Sequence, residues 1–246
     1  MKKVLVTGGS KGIGLETVKT FVSQGHTVIT CARSIETWRE VILSNPELSD
    51  VDFQTVDLSD NQQVDNLFSH IKSAYGALDI AVNNASPTLG SGGTFSEVAV
   101  DALFNTLVSD FWSHALCLKH ELQLMSKGAT IVNISSVNGI RPTPNASMYS
   151  ASKHGLEGLT RSVALEAIKD GIRINSVAPG VTWTSRWEER QATQNPSIRS
   201  EVESVVPIKR FAVPSEVVNA IEWLCSEKSS YVVGHTLVVD GGLSLT

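Results

Sequence analysis

The chain has 246 residues, 41% of them hydrophobic and 18% charged, which suits a large apolar core and excludes a disordered or low-complexity protein. A net charge of -5 argues against a surface built for nucleic acid or anionic lipid. Three cysteines, Cys31, Cys117 and Cys225, are too few and too far apart for a disulfide framework or a Cys-pair zinc site.

No apolar run approaches the ~20 residues of a membrane span. Met1-Lys2-Lys3 leads into a short strand and a glycine turn, unlike a secretion signal, so a single cytoplasmic domain over 1–246 is expected. Residues 3–7 are a β-branched run, followed by Gly8-Gly9-Ser10-Lys11-Gly12-Ile13-Gly14 and a helical pattern to about Gln24. Strand, glycine turn and helix make a place for a phosphate. Glycines let the backbone approach an anion, and a helix start offers unpaired N–H groups and a positive dipole end. The spacing differs from Gly-x-Gly-x-x-Gly and from a Walker A loop. The same residues also fit Gly-x-Ser-x-Gly, the elbow of serine hydrolases, with Ser10 as nucleophile. That elbow normally follows several strands and precedes an acid and then a histidine, whereas here it follows the first strand.

A second strand is expected over 27–31, ending at Ala32-Arg33-Ser34. At this place in a dinucleotide fold a carboxylate selects a free ribose 2′-hydroxyl and a cation selects a 2′-phosphate. Arg33, joined by Lys11 of the glycine turn, favours NADP(H) over NAD(H); the plain alternative is two exposed surface charges. Strands over 51–56 and 78–82, with a helix to about Tyr75 between them, end at Asp57-Leu58 and Asn83-Asn84-Ala85-Ser86. Such alternation specifies a parallel sheet with helices on both faces and ligands at the carboxyl ends of the strands. Taken alone, Asp57 reads as a helix cap or turn residue.

A strand over 129–134 then delivers Ser135 and Ser136, and a long helical pattern carries Tyr149-Ser150-Ala151-Ser152-Lys153. Four residues apart on a helix, Tyr149 and Lys153 leave the same face. The ammonium is therefore expected to lower the phenol pKa towards a range useful for proton transfer. A strand over 172–177 leads into Pro179-Gly180-Val181-Thr182-Trp183-Thr184. Residues 183–206 read as a polar, irregular lid over the substrate, in which Trp187 either bounds an apolar ligand or packs on the base of the lid. A helix over 214–227 and a strand over 235–240 close the pattern. The six histidines lack metal-ligand spacing, so no metal is expected.

Thr7-Gly8-x-x-x-Gly12-Ile13-Gly14, Asp57, Asn83-Asn84-Ala85, Ser136, Tyr149-x-x-x-Lys153 and Pro179-Gly180 stand in one order and spacing. Together they resemble the short-chain dehydrogenase/reductase family over nearly the whole chain. The resemblance implies an α/β fold, a Rossmann-type doubly wound parallel sheet of about seven strands. It also implies hydride exchange between NADP(H) and a ketone, aldehyde or secondary alcohol. The cofactor's phosphates would lie on Gly8, Ser10, Lys11, Gly12, Ile13 and Gly14, and its adenosine end on Arg33, Ser34, Asp57, Leu58, Asn84 and Ala85. Asn83 would steady the central strand. The nicotinamide end would meet Tyr149, Lys153, Pro179, Gly180, Val181 and Thr184.

Ser136, Tyr149 and Lys153 would be catalytic, and the family's fourth relay member, a helix asparagine, falls here on Asp110, with Asn105 about five residues too early. Asp110 is expected to hold the Lys153 ammonium, oppose the Tyr149 phenolate and move the pH optimum upward. In a second departure, Ser86-Pro87 stands where the family has glycine after Asn-Asn-Ala. The resemblance further implies a small-molecule carbonyl or alcohol as partner, neither nucleic acid nor membrane, and a homotetramer or homodimer. Two alternatives stand beside it: a 3-oxoacyl-carrier-protein reductase, and a non-catalytic nicotinamide-binding sensor or structural subunit, which turnover would separate.

Overall fold

The structure, a computed structural model, describes residues 1–193 and 195–246; Gln194, inside the expected lid, lies outside them. The first strand, β1 (Lys3–Thr7), shows how the sheet is covered. Val4 and Val6 face one apolar cluster and Leu5 the opposite one, and all three are fully buried. A strand buried on both faces reads as a continuous apolar run, because both sides of its pleat must be dry.

The remaining strands are β2 (Thr27–Ala32), β3 (Asp52–Thr55), β4 (Ile80–Asn83), β5 (Thr130–Ile134), β6 (Arg173–Pro179) and β7 (Thr236–Val239). Among the described residues they form one parallel sheet in the order β3-β2-β1-β4-β5-β6-β7. The order reverses between β1 and β4, and the crevice at such a reversal is where doubly wound sheets hold ligands.

In chain order the helices are α1 (Gly12–Ser23), α2 (Ile35–Ser44), α3 (Asn61–Tyr75), α4 (Val100–Leu107), α5 (Ser113–Leu124), α6 (Ser147–Ala167), α7 (Ser185–Thr193), α8 (Ile198–Val205) and α9 (Pro214–Cys225). Val18 and Phe21 of α1, Trp38 of α2 and Val217 and Ile221 of α9 cover one face of the sheet. Leu67 and Phe68 of α3, Leu116 of α5 and Ala164 of α6 cover the other. Helix α3 begins at Asp60, whose carboxylate accepts from Gln62 N at 2.9 Å and Gln63 N at 3.2 Å. Asp57 is therefore not the cap; it accepts instead from Ser59 N at 2.9 Å, in a turn.

The segment 185–205 is not irregular, as its polarity suggested. It folds as α7 and α8 because Arg, Glu, Gln and Ala are strong helix formers even where few side chains are buried. Helices α4 and α5 are joined through a stretch of π-helix, Val108–Trp112, that carries the buried Asp110 at its centre. Such wide turns occur most often at functional sites.

Beneath the crevice a polar chain crosses the core. Asn83 Nδ2 donates to Glu121 Oε2 and to Asn133 Oδ1, each at 3.0 Å, and Asn133 Nδ2 donates to Thr160 Oγ1 at 2.9 Å. These bonds tie β4 to β5 and to helices α5 and α6. Burial pushes the Glu121 carboxyl up to about 8, only partly offset by the bond from Asn83. A carboxyl raised on folding is ionised in the unfolded chain at pH values where the fold keeps it neutral, so it costs stability as pH rises from about 4.5 to about 8. Glu121→Gln is expected to gain on the parent over that window, by on the order of 2 kcal/mol or more, in denaturant unfolding measured at pH 5 and pH 8. Equal gaps at both values would show that Glu121 is not held neutral.

Candidate active site

The glycine turn is fastened to β4 before any ligand arrives. Thr7 Oγ1 accepts from Asn84 N at 3.0 Å and Ala85 N at 3.1 Å, and Asn84 Nδ2 donates to Thr7 O at 3.0 Å and Gly8 O at 3.2 Å. Gly14 sits where a Cβ would come within 2.2 Å of Gly8 O and 2.4 Å of Asn84 Nδ2, so only glycine lets the start of α1 approach this closely. Gly12 has a φ of +55°, which side chains other than glycine rarely adopt. Lys11 precedes α1 without capping it through its side chain, which leaves the first N–H groups of the helix for an anion. Thr184 closes over this turn, its Cγ2 lying 3.1 Å from the position a Cβ on Gly12 would take.

The other expected cofactor residues line the same edge. Arg33 and Lys11 are exposed, and Ser34 caps α2, accepting from Thr37 N at 3.1 Å and donating to Glu36 Oε2 at 3.0 Å. Pro179 ends β6, and Gly180 N donates to Val239 O at 2.9 Å, so β7 fixes the turn. Val181 O accepts from Ala212 N at 3.0 Å. The fit to a dinucleotide rests on the uncapped helix start and on the crowding at Gly14.

At the far side of the crevice, α6 carries Tyr149 and Lys153, and Ser136 follows β5. Lys153 is almost fully buried; its Nζ donates to Ile134 O at 3.1 Å, lies 3.8 Å from Asp110 Oδ1 and 5.7 Å from the centre of the Tyr149 ring. His114, also buried, binds Ala85 O through Nε2 at 2.9 Å. Burial and the nearby Lys153 charge hold its imidazole well below the ordinary value, hence neutral.

The two departures from the family pattern touch one another. Ser86 Oγ donates to Asp110 Oδ1 at 2.6 Å, and Ser109 Oγ reaches Asp110 Oδ2 at 3.3 Å. From α7, Arg186 Nη2 donates to the Ser86 carbonyl at 2.7 Å. Ser86 thus holds a carboxylate with its side chain and a guanidinium with its backbone.

The expectation that Lys153 lowers the Tyr149 pKa is corrected here. The phenol is pushed up to about 12, first by burial and then by the charge of Asp110, while Ser136, Arg186 and Ser86 act the other way. Lys153 itself is pulled down by burial and by Arg186, and back up by Asp110 and Glu157. Burial disfavours the charged phenolate and the Asp110 carboxylate adds to that, so the net shift is upward.

Trp187 packs edge-on against Phe211 with ring centres 5.1 Å apart, next to Trp183 on the same ring, so the start of α7 is seated on an aromatic base. Among the described residues, the imidazole nitrogens with partners are those of His26, His70, His114, His120 and His154, and none pairs with Ser10, so nothing there supports the hydrolase alternative. Arg186, His114 and Ser86 were not anticipated as parts of the site; only the departure at residue 86 pointed to any of them.

Residues 8–244 match the sequence profile of a family described as enoyl-(acyl carrier protein) reductase. The chain is 35% identical to a short chain dehydrogenase/reductase, astE, of Aspergillus oryzae, with 99% of this chain and 95% of the relative covered. It is likewise 35% identical to 3beta-hydroxysteroid dehydrogenase 1 of Eggerthella lenta, with 99% and 94% covered. Among solved structures it is similar to ElxO with NADP bound, with a TM-score of 0.92, 30% identity and full coverage of both chains.

Gly14→Ala forces the contacts at Gly8 O and Asn84 Nδ2 apart. NADPH affinity, read by fluorescence titration, is expected to fall at least about tenfold, with a lower melting temperature; unchanged binding would place the dinucleotide elsewhere.

Proposed function

This chain belongs to the short-chain dehydrogenase/reductase family, and on that premise we propose that it interconverts a ketone or aldehyde and the matching alcohol, using NADP(H). The observation that carries this is the convergence of Ser136, Tyr149 and a buried Lys153 beside the glycine turn at the carboxyl edge of one sheet. Lys11 and Arg33 support the phosphorylated cofactor, since neither Ala32 nor Arg33 at the end of β2 offers a carboxylate.

Bound NADPH supplies a hydride to the carbonyl carbon. Ser136 and Tyr149 hydrogen-bond the carbonyl oxygen and polarise it. As negative charge grows there, the Tyr149 O–H breaks and its proton passes to the substrate oxygen, leaving a phenolate. In the reverse direction that phenolate takes the alcohol proton. Lys153 stands behind Tyr149 to hold ribose hydroxyls, and Asp110 keeps its ammonium charged.

The segment 183–206 serves as the lid, with α7 and α8 seated on Phe211 through the two tryptophans. Exposed apolar side chains on α4 and α6, among them Val100, Phe104 and Leu165, support a homotetramer or homodimer through those helices. Among the described residues no helix is long and apolar enough to cross a membrane. Three buried free thiols, at Cys31, Cys117 and Cys225, suit a reducing cytoplasm.

Initial rates of NADPH and NADH oxidation across ketones, aldehydes and 3-oxoacyl thioesters test the proposal and separate the carrier-protein alternative. NADPH is expected to be preferred by at least about tenfold, and Lys11→Ala with Arg33→Ala to remove that preference. Tyr149→Phe should lower turnover by roughly 100-fold to 10,000-fold and leave NADPH binding intact. Substantial residual turnover would remove Tyr149 from its role, and binding without turnover on any substrate would favour a sensor. A carboxylate that raises the phenol pKa shifts the requirement for phenolate to higher pH. Asp110→Asn is therefore expected to bring the rising limb of alcohol oxidation down by about one pH unit, and an unmoved limb would refute the charge argument.

A further inference from the structure

The lid and the acid–base centre are joined at one residue. The hydroxyl of Ser86 donates to Asp110 at 2.6 Å while its carbonyl accepts from Arg186 at 2.7 Å, so a carboxylate and a guanidinium are fixed on two sides of the same short segment. Asp110 also lies 3.8 Å from Lys153 Nζ. The groups that act on the Tyr149 hydroxyl or stand beside its ring therefore come from several elements: Ser86 after β4, Asp110 on the π-helical stretch, Ser136 after β5, Lys153 one turn along α6, and Arg186, a solvent-exposed side chain anchored to Ser86, on α7. Neutral His114 on α5 stands behind Lys153. Among the described residues Arg186 pairs with no carboxylate.

We propose that Arg186, reaching from α7 to the Ser86 carbonyl, supplies at Tyr149 the positive charge that Asp110 cancels at Lys153, so that docking of the lid completes the acid–base centre. The inference rests on the oxidoreductase reading above and adds to it a positioning residue that acts through Tyr149. Asp110 lies 3.8 Å from Lys153 Nζ and its charge pushes the phenol up, so the buried pair does not favour the phenolate. The guanidinium has no such partner, and its charge acts on both Tyr149 and Lys153. The bond to Ser86 fixes its place, because the guanidinium donates as a planar fork and stays charged at every working pH. When α7 lifts away the charge leaves with it, and the phenol becomes a still weaker acid.

The test is the pH profile of kcat for alcohol oxidation at fixed ionic strength. A positive charge favours the phenolate, so Arg186→Gln is expected to move the rising limb up by about one pH unit, and Arg186→Lys to restore most of it. Asp110→Asn moves the limb down, and the double variant, which loses one charge of each sign, is expected to return near the parent profile. If Arg186→Gln leaves the limb in place and raises only the KM for cofactor or substrate, the guanidinium is a ligand-binding group and the proposal is overturned. If the parent oxidises no alcohol, the oxidoreductase reading fails separately, and the proposal is then decided by tyrosinate absorbance. The chain has only three tyrosines, so the step removed by Tyr149→Phe can be assigned. In the Asp110→Asn background, that step must rise in pH when Arg186→Gln is added; no movement overturns the proposal.

Discussion

The structure depends on the tie between the parallel neighbours β1 and β4 at their carboxyl ends. Thr7 receives two backbone N–H groups there, from Asn84 and Ala85, and Asn84 returns its amide to Thr7 and Gly8. Buried backbone groups at the end of a strand must find partners, and here each strand satisfies the other. The glycine turn leaves one side of this knot towards α1, and Ser86 leaves the other side towards Asp110. The proposed phosphate site and the proposed acid–base centre are thus set by the same few hydrogen bonds.

Around that knot the charges are arranged unlike a simple Tyr–Lys pair. A lysine and an aspartate, both almost fully buried, face each other at 3.8 Å with serine hydroxyls on the aspartate. A buried pair of this kind tolerates burial because each member has a further hydrogen bond: Lys153 donates to Ile134 O, and Asp110 accepts from Ser86 Oγ. Its cost is electrostatic: the field of the ammonium is spent on its partner. The wide turn of the helix at 108–112 brings the carboxylate into the site, which makes a change of backbone geometry and a change of side-chain charge parts of one arrangement.

Much of this was legible in the residues. The strands stood out because parallel strands covered on both faces read as short apolar runs such as Val4-Leu5-Val6, and the glycine turn because Gly12 and Gly14 meet steric demands no other residue meets. The place of Asp110 came from counting along a resemblance; in the structure its Oδ1 lies 3.8 Å from Lys153 Nζ. What stayed hidden depended on distance through space. No local pattern says that Ser86 and Asp110, 24 residues apart, share a hydrogen bond, or that Arg186 reaches a carbonyl 100 residues away. Helices α7 and α8 were hidden for another reason: they are short and so polar that the segment reads as a loop, although Ile198, Val202 and Val205 fall at helical spacing.

The strand order also carries a consequence for how the chain is made. β1 emerges before the other strands yet ends inside the sheet, with β2 on one side and β4 on the other. As the polypeptide leaves the ribosome, β1, β2 and β3 can pair while the opposite edge of β1 is still bare. That edge is closed only when residues 80–82 emerge to meet Val4, Leu5 and Val6. A bare edge strand is a template for pairing with another chain, so the interval between the third and fourth strands is when the nascent protein is most open to association with the wrong partner. The well-capped helix α3 fills that interval and, by folding locally, shortens it.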